Sequence, residues 1–260
     1  MTFSLPLVLC VLGLCVGSFV NCLVWRLHQG LSPIGGRSIC PSCKKQIRWY
    51  DNIPLVSFVL LKGRCRDCHS PIPYHYPLVE LSGGILTLIV FYSQGIFLKE
   101  NFLFLIFNLL ITYLLLAIFL SDLLYMTIPD QIVFSGIIIS LVFLFLTYPL
   151  SEIFKFLISG FVFAGFFYLL RLFTKGKGMG LGDVKLAGLM GLVLGWPKIL
   201  VAFYFAFLTG AIVGVILILL RKKRWGEHIP FGPFLSGATF INLIWGNEIL
   251  KWAEKILGLL

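Results

Sequence analysis

Residues 101–122 read NFLFLIFNLLITYLLLAIFLSD, an apolar run with no charged side chain before Asp122. About 20 apolar residues suffice for a helix to cross a hydrocarbon core roughly 30 Å thick. The run therefore predicts a transmembrane helix over 101–121 that delivers a carboxyl group at its end. Similar runs recur on both sides and predict spans at 4–25, 77–96, 129–148, 153–173, 183–197, 198–220 and 232–250. The span at 183–197 is short and Gly-rich, and Pro197 marks a break between it and the next, because proline interrupts helix hydrogen bonding. Composition agrees: 59% of the 260 residues are hydrophobic and 12% charged, against about 25% charged in ordinary soluble domains. The fold class read from these patterns is an all-α polytopic membrane protein of about eight transmembrane helices.

Charge placement orients the helices. Arg26, Arg37, Lys44, Lys45, Arg48, Lys62, Arg64 and Arg66 lie in the segment after the first span. Arg171, Lys175, Lys177 and Lys185 follow the fifth, and Arg221 to Arg224 precede the last. One side thus receives 16 of the 21 basic residues, and basic loops remain cytoplasmic. With eight spans both termini face outward. The first basic residue, Arg26, comes after the first apolar run, whereas a cleaved signal begins with basic residues. The N-terminal run is accordingly expected to be a retained span. The net charge of +10 reports topology, with attraction to the anionic headgroups of membrane lipids as a second effect. A nucleic-acid partner is not expected, since no stacking platform accompanies the basic residues.

The chain divides by content into residues 1–96, with one span, a polar cysteine-bearing segment and a second span, and residues 101–250, a helical bundle. The polar segment holds Cys40-Pro-Ser-Cys43 and Cys65-Arg-Asp-Cys68. Two such pairs supply four thiolates to one ion, forming a closed tetrahedral site that stabilises the fold. A structural Zn2+ held by Cys40, Cys43, Cys65 and Cys68 is expected, with redox-active or disulfide-forming pairs as the alternative. A cytoplasmic location weighs against structural disulfides.

The bundle is poor in acids, so Asp122, Asp130 and Asp183 stand out. Carboxylates at membrane depth are costly to ionise. Two that share a site hold one proton between them, so one can deprotonate water while the other protonates a leaving group. Each acid has a structural alternative as well. Asp130 stands where a helix N-cap would, Asp122 can cap the turn after its span, and Asp183 can pair with Lys185 or Arg171. Glycines 178, 180 and 182 permit close approach of backbone to a ligand, and the run lacks the strand and helix context of a nucleotide-binding loop. An ion-coupled transporter would account for the spans and acids but not the CxxC pairs. A non-enzymatic assembly protein is a further alternative.

Six blocks, in order, resemble the bacterial prepilin peptidase family, the type IV leader peptidase/N-methyltransferases. They are Gly17-Ser-Phe-Val-Asn21 through Arg26, the two CxxC pairs, Pro77-Leu-Val-Glu80-Leu81, Asp122 through Asp130, Gly178 through Lys185, and Ile229-Pro-Phe-Gly-Pro-Phe234. The likeness covers almost the whole chain, although Ser121 stands where many relatives carry an apolar residue. Archaeal preflagellin peptidases generally lack the cysteine segment, so the resemblance is to the bacterial bifunctional branch. It implies a membrane aspartic endopeptidase with Asp122 and Asp183 as the catalytic dyad and Asp130 as a supporting acid. The implied substrates are type IV prepilins or pseudopilins, cut after a glycine in a short basic leader at the cytoplasmic membrane face. The implied second activity is methylation of the new N-terminal amine by S-adenosylmethionine. Glu80 is a candidate for the amine or cofactor site, with pairing to Arg26 as the alternative.

Overall fold

The computed structural model describes residues 4–33, 35–93, 102–176, 178–224 and 227–256. Lys99, Lys177 and the end of the expected 77–96 span lie outside them. The described residues form helices α1 (Ser4–His28), α2 (Val56–Leu60), α3 (His75–Ser93), α4 (Phe102–Tyr125), α5 (Asp130–Thr147), α6 (Leu150–Phe173), α7 (Leu181–Leu194), α8 (Lys198–Leu219) and α9 (Gly232–Ile256). The described residues are thus all-α, apart from two isolated β-bridges in the cysteine segment. Among the described residues, six helices are long and apolar enough to cross a membrane: α1, α3, α4, α5, α6 and α8. With its 14 residues, α7 reaches only about 21 Å. Helix α9 has the length, but Glu248, Lys251, Glu254 and Lys255 make its second half polar. The expected break at Pro197 is present, between the end of α7 at Leu194 and the start of α8 at Lys198.

The chain forms two compact units, residues 1–117 and 118–260. In the first, α1 packs along α3 through small residues. A methyl group added to Gly17 would lie 2.7 Å from the Val79 carbonyl oxygen, and one on Gly83 would reach the Gly17 Cα at 3.0 Å. With no hydrophobic drive between helices in lipid, such close backbone approach is what holds them. The buried Asn21 reinforces the contact by donating to the Tyr76 carbonyl at 3.1 Å. The Gly17–Asn21 block is therefore a packing motif.

In the second unit α7 is the centre. Val184, Leu186, Ala187, Leu189 and Met190 are all buried, and α7 packs against α5, α6 and α9. Beyond Lys185 this short helix is apolar on every side, which suits an interior position. Its tightest neighbour is α6, where a Cβ on Gly191 would run into the Gly160 and Ser159 backbone. A ladder of rings, Phe163, Phe167, Phe203 and Phe207, joins α6 to α8 and continues to Phe231, 4.9 Å from Phe207. These edge-on and tilted separations are the favourable ones for aromatic pairs. They fix the residue immediately before α9.

Candidate active site and cysteine centre

Asp122 lies in the last turn of α4 and is buried, 6% exposed. Its Oδ2 accepts a hydrogen bond of 2.8 Å from the Gly232 N–H, the first residue of α9. It does not cap the turn that follows its own helix. That turn is held instead by Ser121, whose buried hydroxyl donates to the Thr127 carbonyl at 2.8 Å. Asp183 stands in the first turn of α7, where its Oδ2 accepts from the Gly180 N–H at 3.1 Å. This is one half of a capping box. The two carboxyls are near enough to interact electrostatically.

Lys185 does not pair with Asp183. It forms a two-point ion pair with Asp130, 2.7 and 2.8 Å to the two carboxylate oxygens. Asp130 is the first residue of α5, after Pro129, so the pair ties the α5 start to the α7 start. Beside it, Ile128 packs so closely on Gly182 that an added Cβ would lie 2.8 Å from the Ile128 Cβ. The end of α4 thus meets the start of α9, and the start of α5 meets the start of α7, with Asp130 held at Lys185 and Asp122 within electrostatic reach of Asp183. Sequence reading named these acids and the Ile229–Phe234 block. It did not find that the block supplies a backbone donor to Asp122. The sequence signal was a glycine directly after an aromatic residue and before proline at a helix start.

The four cysteines also converge. The Sγ atoms of Cys40, Cys43, Cys65 and Cys68 lie within 4.8 Å of one another, with 3.9 Å between Cys40 and Cys68. A tetrahedral ion with metal–sulfur bonds near 2.3 Å requires sulfurs about 3.8 Å apart, so the cluster fits an ion with little movement. The two halves are built alike. Cys40 N–H donates to Lys45 O and Cys65 N–H to Ser70 O, both 2.9 Å; Lys44 and His69 N–H turn back to Cys40 and Cys65 O. Lys44 and His69 both have positive φ, 58° and 55°. Bridges Ile39–Gln46 and Arg64–Pro71 close the two knuckles.

The thiols differ in acidity. Burial opposes ionisation of Cys40, but the N–H groups of Cys43 and Ser42 and the neighbouring thiols pull it down to about 6. For Cys43 the Lys45 N–H favours the thiolate, yet desolvation and the Cys40 and Cys68 sulfurs outweigh it and push it up to about 11. The Ser70 hydroxyl and N–H hold Cys68 low. Thiolate formation at one sulfur thus opposes it at the next, which a cation would relieve. Arg66 braces the segment by gripping Asp51 through Nε and a terminal nitrogen, at 2.6 to 3.1 Å.

Glu80 and Arg26 form no ion pair. The buried Arg26 donates to the carbonyls of Ser32, Gly35 and Arg37. Glu80 Oε2 accepts from the Leu55 N–H at 2.8 Å. A cavity of about 290 Å³ lies beside Arg26, lined also by Ser18, Phe19, Ser38, Asn52 and Pro54. Glu80 does not line it but secures Leu55, the residue after one of its walls.

Comparison with known proteins matches these features to one family. The model for the bacterial peptidase A24 N-terminal domain matches residues 11–94, and that for the type IV leader peptidase family matches residues 109–215. A prepilin leader peptidase/N-methyltransferase of Pseudomonas aeruginosa is 35% identical, covering 98% of this chain and 96% of that protein. Similarly described proteins of Aeromonas salmonicida and Legionella pneumophila are 37% and 32% identical, each over 83% of this chain and 74% and 75% of their own lengths. No solved structure matches. With a relative of this identity aligned over nearly its full length, the chain belongs to the bacterial type IV leader peptidase family.

Proposed function

We propose that this protein is a membrane aspartic endopeptidase and N-methyltransferase. It removes the basic leader of type IV prepilin-like proteins after a glycine and then methylates the new N-terminal amine. What supports the peptidase half is that Asp122 at the end of α4 and Asp183 at the start of α7 each accept one backbone N–H and stand near enough to interact electrostatically. In this reading one carboxylate accepts a proton from water, whose oxygen attacks the scissile carbonyl carbon. The other, protonated, gives its proton to the departing amine nitrogen as the C–N bond breaks. Asp130 acts through Lys185 on the start of α7 and does not touch the reacting atoms. Purified enzyme should cleave a prepilin-like substrate, and Asp122→Asn or Asp183→Asn should nearly abolish cleavage without changing fold or metal content. Normal turnover by either folded variant would sink the dyad.

The family's two matched regions, 11–94 and 109–215, support a functional division close to 1–96 and 101–250. The peptidase then resides in the second part. The four-cysteine centre takes a structural Zn2+, for which its donor set and sulfur spacing are suited. S-adenosylmethionine supplies the methyl group, and the cavity beside Arg26 has the size and mixed lining of a small-ligand site. Glu80 serves that site by holding Leu55, the residue next to its Pro54 wall. Topologically, α7 and α9 complete eight crossings, with α7 shielded from lipid by its neighbours. The distribution of basic loops supports a dyad at the cytoplasmic face of the inner membrane and both termini outside.

A further inference from the structure

The cysteine segment carries an apolar surface that the peptidase chemistry does not use. Val59 and Leu60 on α2 are 71% and 75% exposed, Trp49 73% and Tyr74 78%, and Val56 is exposed beside them. The elements that carry them are tied together at two points. The Ser57 hydroxyl donates to the Tyr50 carbonyl at 2.8 Å, which ties α2 to the turn bearing Trp49. Phe58 meets the Tyr74 ring edge-on at 5.9 Å, which ties α2 to the start of α3. From Tyr74 the exposed row continues along one face of α3 as Leu78, Leu81 and Ile85, spaced at helical intervals of three and four. Because α3 is a membrane span, that row is its lipid face, and the α2 surface is its extension past the end of the span.

Charge selects what covers this extension. Between residues 29 and 74 there are seven Lys and Arg against two Asp. Both acids are already engaged, Asp51 by Arg66 and Asp67 by Lys45, while Lys62 and Arg64 directly follow α2. Apolar side chains and indole or phenol rings flanked by cations are the composition of an element lying in the interface of an anionic leaflet.

We propose that α2, with Trp49 and Tyr74, docks on the anionic phospholipid leaflet at which α1 ends and α3 begins. The cysteine centre is thereby held flat against the membrane surface instead of projecting into water. Docking fixes the height of the segment relative to any substrate amine emerging at that surface. The proposal stands on unit 1 alone and is independent of the chemistry at Asp122 and Asp183.

The test uses the full chain in lipid nanodiscs, with an environment-sensitive fluorescent amino acid at Leu60 or, as a control on the exposed first knuckle, at Gln46. Cleavage activity and metal content confirm that each labelled protein is folded. Brominated acyl chains should quench the Leu60 probe at least about threefold more than the Gln46 probe, as expected for shallow insertion. The difference should be larger with phosphatidylglycerol than with phosphatidylcholine alone, and should shrink at high salt. Equal quenching of the two probes overturns the proposal. So does quenching or a blue shift at Leu60 that appears only with two copies per disc, or only on adding a prepilin-like peptide, since another protein surface would then be the occupant. Insensitivity to phosphatidylglycerol and salt overturns the anionic assignment.

Discussion

Gly232→Ala is the sharpest test of how the proposed dyad is held. A Cβ at this position would lie 2.7 Å from Asp122 Oδ2 and 3.0 Å from its Cβ and Cγ. Those atoms belong to a buried side chain and cannot simply swing into solvent. The carboxyl must shift, and the shift lengthens or breaks the 2.8 Å bond from the Gly232 N–H. A hydrogen bond to a charged group contributes about 1.5–3 kcal/mol. If it is made fully only while Asp122 works as a carboxylate, its loss slows cleavage roughly 10- to 150-fold. Misplacement of a reacting group by about 1 Å independently costs a factor near 100. The control is Gly237→Ala in the same helix, where the new methyl group meets nothing within 4 Å. Both variants should be reconstituted and assayed for single-turnover cleavage of a prepilin-like substrate, with thermal stability and metal content measured on the same samples. The Gly237 variant should match the parent. Methylation of a pre-cleaved substrate should survive in both. A folded Gly232→Ala protein that cleaves within about twofold of the parent, below the range that loss of the bond predicts, would refute the assignment of Gly232 as the residue that positions Asp122.

Three further outcomes are expected. Asp130→Lys and Lys185→Asp should each slow cleavage roughly two- to fivefold, the rate equivalent of about 0.5–1 kcal/mol for a partly exposed pair, and the double exchange should restore most of it; losses that simply add would show that the pair does not position α7. Replacing Cys40 and Cys43 by Ser should strip about one zinc per chain, the content of a four-thiolate shell, make the segment protease-sensitive, and lower methyl transfer more than cleavage; unchanged metal content would exclude these ligands. Cysteines engineered near residue 55 should react with impermeant reagent from the cytoplasmic side and those near residue 151 from the outside, as the distribution of basic residues requires; the reverse pattern would overturn the orientation.

What the sequence disclosed and what it withheld follow from the range of each interaction. Spans are properties of about 20 consecutive residues, so 101–121 and five of its counterparts could be read directly, and so could the break at Pro197. The four thiols were legible because ligand chemistry sets the CxxC spacing. Partner choice was not. Lys185 stands two residues from Asp183 yet pairs with Asp130, 55 positions away in sequence. The two lie at adjacent helix starts, and Asp183 is already committed to the Gly180 N–H. Arg26 likewise spends its donors on the carbonyls of the chain that follows it, so no charge remains to seek Glu80. Local backbone groups were the competitors in each case, and they leave no mark in a pattern of charges.

The glycines of the two motif loops acquire a common physical reason in this light. Each acid of the proposed pair needs a fixed dipole in place of the water it loses near the bilayer, and a backbone N–H at a helix start supplies one without a mobile side chain. For such a donor to come within 2.8 Å of a buried carboxyl, as Gly232 does for Asp122, the donating residue must have no Cβ in the way. At Gly232 that condition is strict, since the Cβ would overlap the carboxyl itself. At Gly180 it is looser, because the added atom would lie 3.4 Å from Asp183 Oδ2. The neighbouring Gly182 meets a different demand, the close packing of α7 on Ile128, which sets where Asp183 stands. Phe231, wedged into the aromatic ladder from α6 and α8, holds the Gly232 N–H in place from the other side. The late motif is therefore bipartite, with a ring that anchors it to the bundle and a glycine that presents its amide to the acid. A substitution that preserves the ring but adds a methyl group to the glycine should separate those two roles.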